Sequence, residues 1–286
     1  MNNFDVIIIG AGSIGVPTAL ALAKKKFSVL IIDELSSPGQ GQNKKAIGGI
    51  RATHSDFGKI KICQRSIEIF SHWKEETGVD IGWIKNGYSF PAFNENDEQK
   101  LKELLKTQQA FGLNINWISA EEYKELVPGI NDANLRGSTY SPDDGSASPL
   151  LSAAAFYEKS REYGAEYKFR EKVLNIIPKE NHFQISTDKG KYEAKFVVNA
   201  SGNNAASIGK MVNSDLPVVP DSHEGAITEP VERFFGPMIV GQGFMLGPGL
   251  GELISRMVAN DLSEDDKKIL KSFSYKRDFS GMEQFK

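Results

Sequence analysis

The stretch Phe4-Asp-Val-Ile-Ile-Ile-Gly10-Ala-Gly12-Ser-Ile-Gly15 decides the fold. A β-branched run enters a GxGxxG turn, and an apolar helical pattern leaves it through Lys26, giving strand, tight turn and helix in that order. A second strand is predicted over Ser28 to Ile32 and ends at Asp33, 18 residues after Gly15. This is the first βαβ unit of a Rossmann-like α/β sheet, and its glycines have separate duties. Gly10 permits the turn, Gly12 lets a pyrophosphate approach the backbone, and Gly15 packs helix on strand. Ser13 and Ile14 carry the N–H groups at the helix start, where a partial charge of about +0.5 attracts phosphate. Asp33, followed by Glu34, is placed to accept ribose hydroxyls.

Working outward, residues 36–45 read as loop and lead into AIGGIRATHSD, which sets two glycines against Arg51 and His54. From Asp56, Ile60, Cys63, Ile67 and Phe70 recur at helical spacing until Gly78, so Cys63 belongs to an apolar stripe. Strand character over Trp83–Phe93, a helix over Glu95–Phe111 and a Ser119/Glu122 capping box follow, without phosphate-type glycines. Ser148 and Pro149 begin a helix ending at Gly164. VLNIIP, HFQIST and KYEAKFVVNASG then read as strands, the last two joined at Asp188-Lys-Gly190. Pro217–Val240 reads as extended, followed by the glycine run GQGFMLGPGLG (241–251), a helix over Leu250–Asn260 and a charged surface helix and tail.

Composition excludes several classes. With 286 residues, 40% hydrophobic and 25% charged, the chain can bury one large core or two smaller ones. A net charge of -3 gives no case for nucleic acid, and no run of about 18 apolar residues is present to span a bilayer. A single cysteine rules out an intramolecular disulfide, a signal-peptide start is lacking, and no metal-ligand cluster is read; a cytoplasmic location is expected.

GxGxxG alone does not separate NAD from FAD. The strand running into Ala200-Ser201-Gly202 favours FAD, because its small residues let the chain pass close to a dinucleotide held by the first unit. Five segments, GAGSIGVPTALALA, GGIRATHSD, DDGSASP, VVNASGNNA and GFMLGPGLGE, then occur in an order that resembles the FAD-dependent amine and amino-acid oxidoreductases, the group of D-amino-acid oxidase, glycine oxidase and the sarcosine oxidase β-subunit. The resemblance implies a discontinuous FAD domain over residues 1–82, 141–206 and 241–286, interleaved with a smaller antiparallel α+β substrate domain over 83–140 and 207–240. It implies oxidation of a C–N bond beside a carboxylate, by hydride transfer to a non-covalent flavin, with glycine-, sarcosine- or proline-like substrates. Gly48, Gly49, Ile50 and Arg51 would border flavin and pyrophosphate, Val173 the adenine, and Gly243, Phe244, Met245 and Leu246 the flavin head, with the next helix aimed at the flavin's O2 side.

The candidates for the catalytic group are Arg51 and His54. Arg51 is open to three roles: cofactor phosphate, substrate carboxylate, or a surface salt bridge. His54 is a structural histidine or a covalent flavin link; His223, Tyr88 and Tyr140 are cavity groups or core. The resemblance also exposes a departure: Val240 runs directly into Gly241 where relatives place further strands, so an internal deletion is expected, truncating the substrate domain. Exposed strand edges would then be covered by the remaining strands or by a second copy of the chain. An electron-acceptor subunit is the other expected partner. Two alternatives accompany the enzyme reading, a flavin-binding scaffold whose catalysis is lost and an NAD-dependent dehydrogenase using only the first unit.

Overall fold

The computed structural model describes residues 2–221, 229, 232–239 and 246–274. Strand β1 (Asn2–Ile9) lies at the centre of a six-stranded sheet with helix α1 (Gly15–Lys24) and strand β2 (Val29–Asp33) following it. The first βαβ unit is thus present, with α1 ending two residues before the expected Lys26, which is in the left-handed region at φ 68°. β1 pairs in parallel with β2, Val6 opposite Val29 and Ile9 opposite Ile32. On its other side it pairs in parallel with β11 (Lys191–Asn199). β8 (Glu166–Phe169) extends the sheet in parallel beyond β2, while β9 (Val173–Pro178) and β10 (Phe183–Thr187) add an antiparallel meander. The order is β8-β2-β1-β11-β10-β9.

A central strand with both faces covered reads as a continuous apolar run, and Val6 to Ile9 are all buried. Alternation then divides them between two cores. Val6 and Ile8 pack with α1, with α2 (Phe57–Thr77) and with α5 (Pro149–Glu162) through Leu20, Ile60, Phe70 and Phe156. Ile7 and Ile9 face Leu30, Ile32, Val173, Ile176, Ile185 and Ile208. Asp56 caps α2 through the Lys59 N–H, and Gly78, at φ 75°, ends it, as its pattern predicts. Cys63 is fully buried on its stripe.

A second sheet has four strands. Within the expected Trp83–Phe93 strand only β4 (Tyr88–Ala92) is regular. β4 pairs antiparallel with β6 (Gly137–Ser141), β6 with β5 (Asn116–Ile118), and β12 (Met238–Ile239) lies parallel to β4. Helices α3 (Glu95–Ala110) and α4 (Ala120–Leu126) flank it, α4 opening with the anticipated Ser119/Glu122 capping box. A two-stranded link, β3 (Gly49–Ile50) with β7 (Gly145–Ser146), stands between the sheets.

α6 (Ala205–Lys210) follows β11. The C-terminal helix α7 (Gly247–Val258) begins inside the glycine run, three residues earlier than the Leu250 start that the sequence suggests. The reason is packing: Gly247, Gly249 and Gly251 bring α7 to backbone contact with the Ser13 carbonyl, the Ile62 carbonyl and Pro17–Thr18. α8 (Glu264–Ser272) completes the described chain as the expected surface helix, and none of the described helices is long and apolar enough to cross a membrane.

Candidate functional site

The carboxyl ends of β1, β2 and β11 converge. Gly10 donates its N–H to the Ile32 carbonyl (2.9 Å), and Ala200 donates to the Ile9 carbonyl (2.9 Å). Gly10 adopts φ 104°, and a side chain there would overlap the Ala200 carbonyl, so both the conformation and the close approach require glycine. A side chain at Gly12 would meet none of the described residues within 4 Å. The Gly12 backbone therefore faces open space at the start of α1, a helix with neither a side-chain cap nor an acidic residue in its first turn.

Asp33 is half-buried at the end of β2. Its Oδ2 accepts the Ala11 N–H at 2.6 Å and its Oδ1 the Leu35 N–H at 2.7 Å, so the carboxylate first ties the glycine loop to β2. Two lone pairs per oxygen leave it able to accept hydroxyl groups as well. Glu34 is exposed and meets Asn204 Nδ2 at 3.2 Å and Lys172 Nζ at 3.7 Å. Val173 is buried at the start of β9, and the preceding Glu171 donates its N–H to the Asp33 carbonyl (3.0 Å), which draws this edge toward the β2 terminus. Ser201 turns its hydroxyl onto Asn199 Oδ1 (2.6 Å), and Gly202, at φ 57°, opens a short turn.

The second group of predicted residues lies at the link between the sheets. Gly48 is at φ 88° and accepts the Ala147 N–H (3.0 Å). A side chain at Gly49 would overlap the Tyr88 hydroxyl. Arg51 is 5% exposed, which overturns the surface-salt-bridge reading. Its guanidinium carbon lies 5.3 Å from the Phe90 ring centre and 6.0 Å from that of Tyr88, and Nη1 donates to the Thr53 carbonyl. His54 is buried and its carbonyl accepts from Gln108 Nε2 (3.2 Å). Tyr88 is fully buried, as core was expected to be, whereas Tyr140 is half-buried.

Sequence reasoning missed Asp144 as a site residue. It lies in the quoted DDGSASP segment, yet only the fold reveals that it is 1% exposed, with Oδ1 accepting the Ala52 N–H at 3.0 Å and Oδ2 without a hydrogen-bond partner among the described residues. Desolvation raises its carboxyl to about 7 against the opposing pull of the Ala52 amide, Ser141 and Arg51. The Tyr88 hydroxyl is similarly unpartnered, and burial pushes it up to about 12.

Of the predicted flavin-head residues, Gly243, Phe244 and Met245 lie outside the described residues, as do His223 and the Val240–Gly241 junction. Leu246 precedes the first turn of α7 and packs against the core. The α7 N–H at Gly249 is already taken by Ser66 Oγ (3.0 Å). A cleft of about 490 Å³ between α1, α2 and α7, bordered by Leu20, Arg65, Trp73 and Glu252, includes none of the predicted site residues.

Comparison with known proteins accords with this geometry. The chain is 28% identical to mouse (Mus musculus) mitochondrial dimethylglycine dehydrogenase over 79% of its length, and 29% identical to Geobacillus kaustophilus glycine oxidase over 77%. It spans 26% and 60% of those proteins respectively. The crystal structure of L-proline dehydrogenase from P. horikoshii superposes with a TM-score of 0.74 at 26% identity, covering 84% of this chain and 64% of that one. A family model described as FAD dependent oxidoreductase matches residues 5–242, more than half of the chain. The chain belongs to that family, the FAD-dependent oxidoreductases, whose cofactor is FAD.

Proposed function

We propose that this protein oxidises the C–N bond of an amino acid or secondary amine of the glycine, sarcosine or proline type, using FAD. The observation that carries the reading is the junction of Gly10, Ala200 and Asp33 beneath the open backbone of Gly12, at an uncapped helix start. Those residues fit a dinucleotide: an anion can approach Gly12 without displacing a side chain. The nicotinamide alternative is set aside because the family's cofactor is FAD.

In this reading Gly10 to Gly15 hold the pyrophosphate, Asp33 and Glu34 the ribose, and Val173 the adenine. Ala200, Ser201 and Gly202 let the chain pass the dinucleotide, and the Gly48–Arg51 segment borders the flavin. Bound FAD supplies a hydride acceptor. The protein orients the substrate, and we assign that task to Arg51, seated against Phe90 and Tyr88 of the four-stranded sheet. Its planar fork suits a substrate carboxylate as well as a cofactor phosphate. His54 is assigned a structural role, with the flavin non-covalent, and Leu246 borders the flavin head with the neighbouring residues 243–245.

The discontinuous domain plan is part of the same proposal and is supported by the two sheets, whose strands interleave along the chain. So is the deletion near residue 240, supported by the seven positions that separate β12 from the start of α7. A second copy of the chain or an acceptor subunit covering the four-stranded sheet, and a cytoplasmic location, complete it. Intact mass of the purified protein tests the deletion.

The decisive experiment is the absorbance spectrum with anaerobic amine titration. Flavin bands near about 450 nm that bleach with a small amino acid or N-methylated amine are expected. Bands that no amine bleaches would replace the enzyme reading with a flavin-binding scaffold; absence of flavin would sink both.

A further inference from the structure

Asp144 stands in the turn from β6 into β7 and ties the four-stranded sheet to the β3–β7 link. Its main-chain carbonyl accepts the Gly87 N–H (2.8 Å) just ahead of β4, and its carboxylate holds the Ala52 N–H just past β3. The groups facing it come from each surrounding element. Arg51, beyond β3, and the Ser141 hydroxyl at the end of β6 both favour its charged form. Tyr88 of β4 brings a buried, unpartnered hydroxyl. The adjacent Asp143 opposes the charge, though it is itself paired with Lys85 at 2.8 Å. Burial outweighs the favourable contacts and leaves the carboxyl at about 7, a poise that no part of the cofactor reading employs.

We propose that Asp144 is a positioning residue whose protonation state sets the charge of the buried Arg51 cluster, so that a carboxylate ligand binds tightly only when Asp144 is neutral. The inference rests on the reading that the Gly48–Thr53 segment borders the substrate and flavin. Gain or loss of the proton changes the charge by one unit whatever else faces Arg51, and burial limits its screening. A proton on Oδ2 leaves Oδ1 bonded to Ala52, so the segment keeps its backbone anchor while its charge changes.

The test titrates the FAD-loaded protein with benzoate, a redox-inert carboxylate, following the flavin absorbance from about pH 6 to about pH 8.5. In the wild type the Kd should rise about tenfold through this range. In Asp144→Asn it should stay near its low-pH value throughout. Calorimetry of the wild type in two buffers of different ionisation enthalpy should show uptake of about half a proton per benzoate at about pH 7.5, the amount that a tenfold coupling requires. A pH-independent wild-type Kd, no benzoate response at any pH, or an unchanged pH profile in Asp144→Asn overturns the proposal. If that variant does not fold, the wild-type calorimetry decides, since binding without proton uptake overturns it equally. A protein lacking flavin bands overturns the FAD reading and this inference with it; flavin bands with a flat benzoate profile overturn the inference alone.

Discussion

The chain uses glycine twice in the same neighbourhood for opposite purposes. At Gly10–Gly15 the glycines bend and thin the backbone so that Gly12 faces open space; at Gly247–Gly251 they are wedged between helices. The two runs touch, since the α-carbon of Gly247 rests against the Ser13 carbonyl. Both look alike as strings of small residues. What differs is whether the missing side chain leaves room for a ligand or for another backbone, and that separates positions whose mutation should cost binding from those whose mutation should cost stability.

The largest effect is expected at Gly251, where a β-carbon would lie 2.7 Å from the Thr18 nitrogen. Gly251→Val should lower stability by about 3 kcal/mol, because a backbone neighbour cannot rotate away. Its small gain in helix propensity does not offset this. Chemical denaturation measures it; a loss below about 1 kcal/mol would remove the wedge interpretation.

Next comes the far end of the same helix. Arg256 grips Asp266 at 2.7 and 2.9 Å, joining α7 to α8, and this pairing holds the Asp266 carboxyl down at about 2. The folded pKa lies below the unfolded one, so the contribution is complete above about pH 4 and is lost as pH falls toward 2. Asp266→Asn should cost about 1–2 kcal/mol at neutral pH, allowing for the partial exposure of Arg256, and should flatten the acid limb of a stability–pH curve. An acid limb unchanged by the substitution would show that α7 is held otherwise.

Ser66→Ala should cost about 1 kcal/mol, since it leaves the buried Gly249 N–H without its acceptor. Thermal melts of the two proteins at equal concentration give the difference. The smallest stability change belongs to Gly12→Ala, within about 0.5 kcal/mol of wild type, because the added methyl group meets no neighbour. Its effect falls on the cofactor: FAD retention on ultrafiltration should weaken about tenfold or more. Unaltered retention would make the two glycine runs equivalent and cancel the comparison.

The first βαβ unit, the α2 boundaries, the meander and the Ser119 capping box were legible in the sequence because each is governed by local periodicity, caps or turn residues. The strands β5, β6 and β8 were not, being three to five residues long and dependent on partners far along the chain. At the candidate site, the meeting of Gly10, Asp33 and Ala200 was legible from their spacing. The burial of Arg51 was not, since its sequence neighbours, two glycines and small polar residues, are those of an exposed loop.

By itself the sequence determined the dinucleotide architecture, for phosphate loops impose strict local order on strand, glycine and helix, and its five segments in order carried the resemblance to the FAD family. Tertiary structure alone decided that half of the second glycine run is helix packing, and that Arg51 and Asp144 share one buried cluster. These depend on which backbone or charge arrives from residues far away in the chain, and desolvation, which tunes Asp144, exists only once β3, β4 and β6 have closed around it.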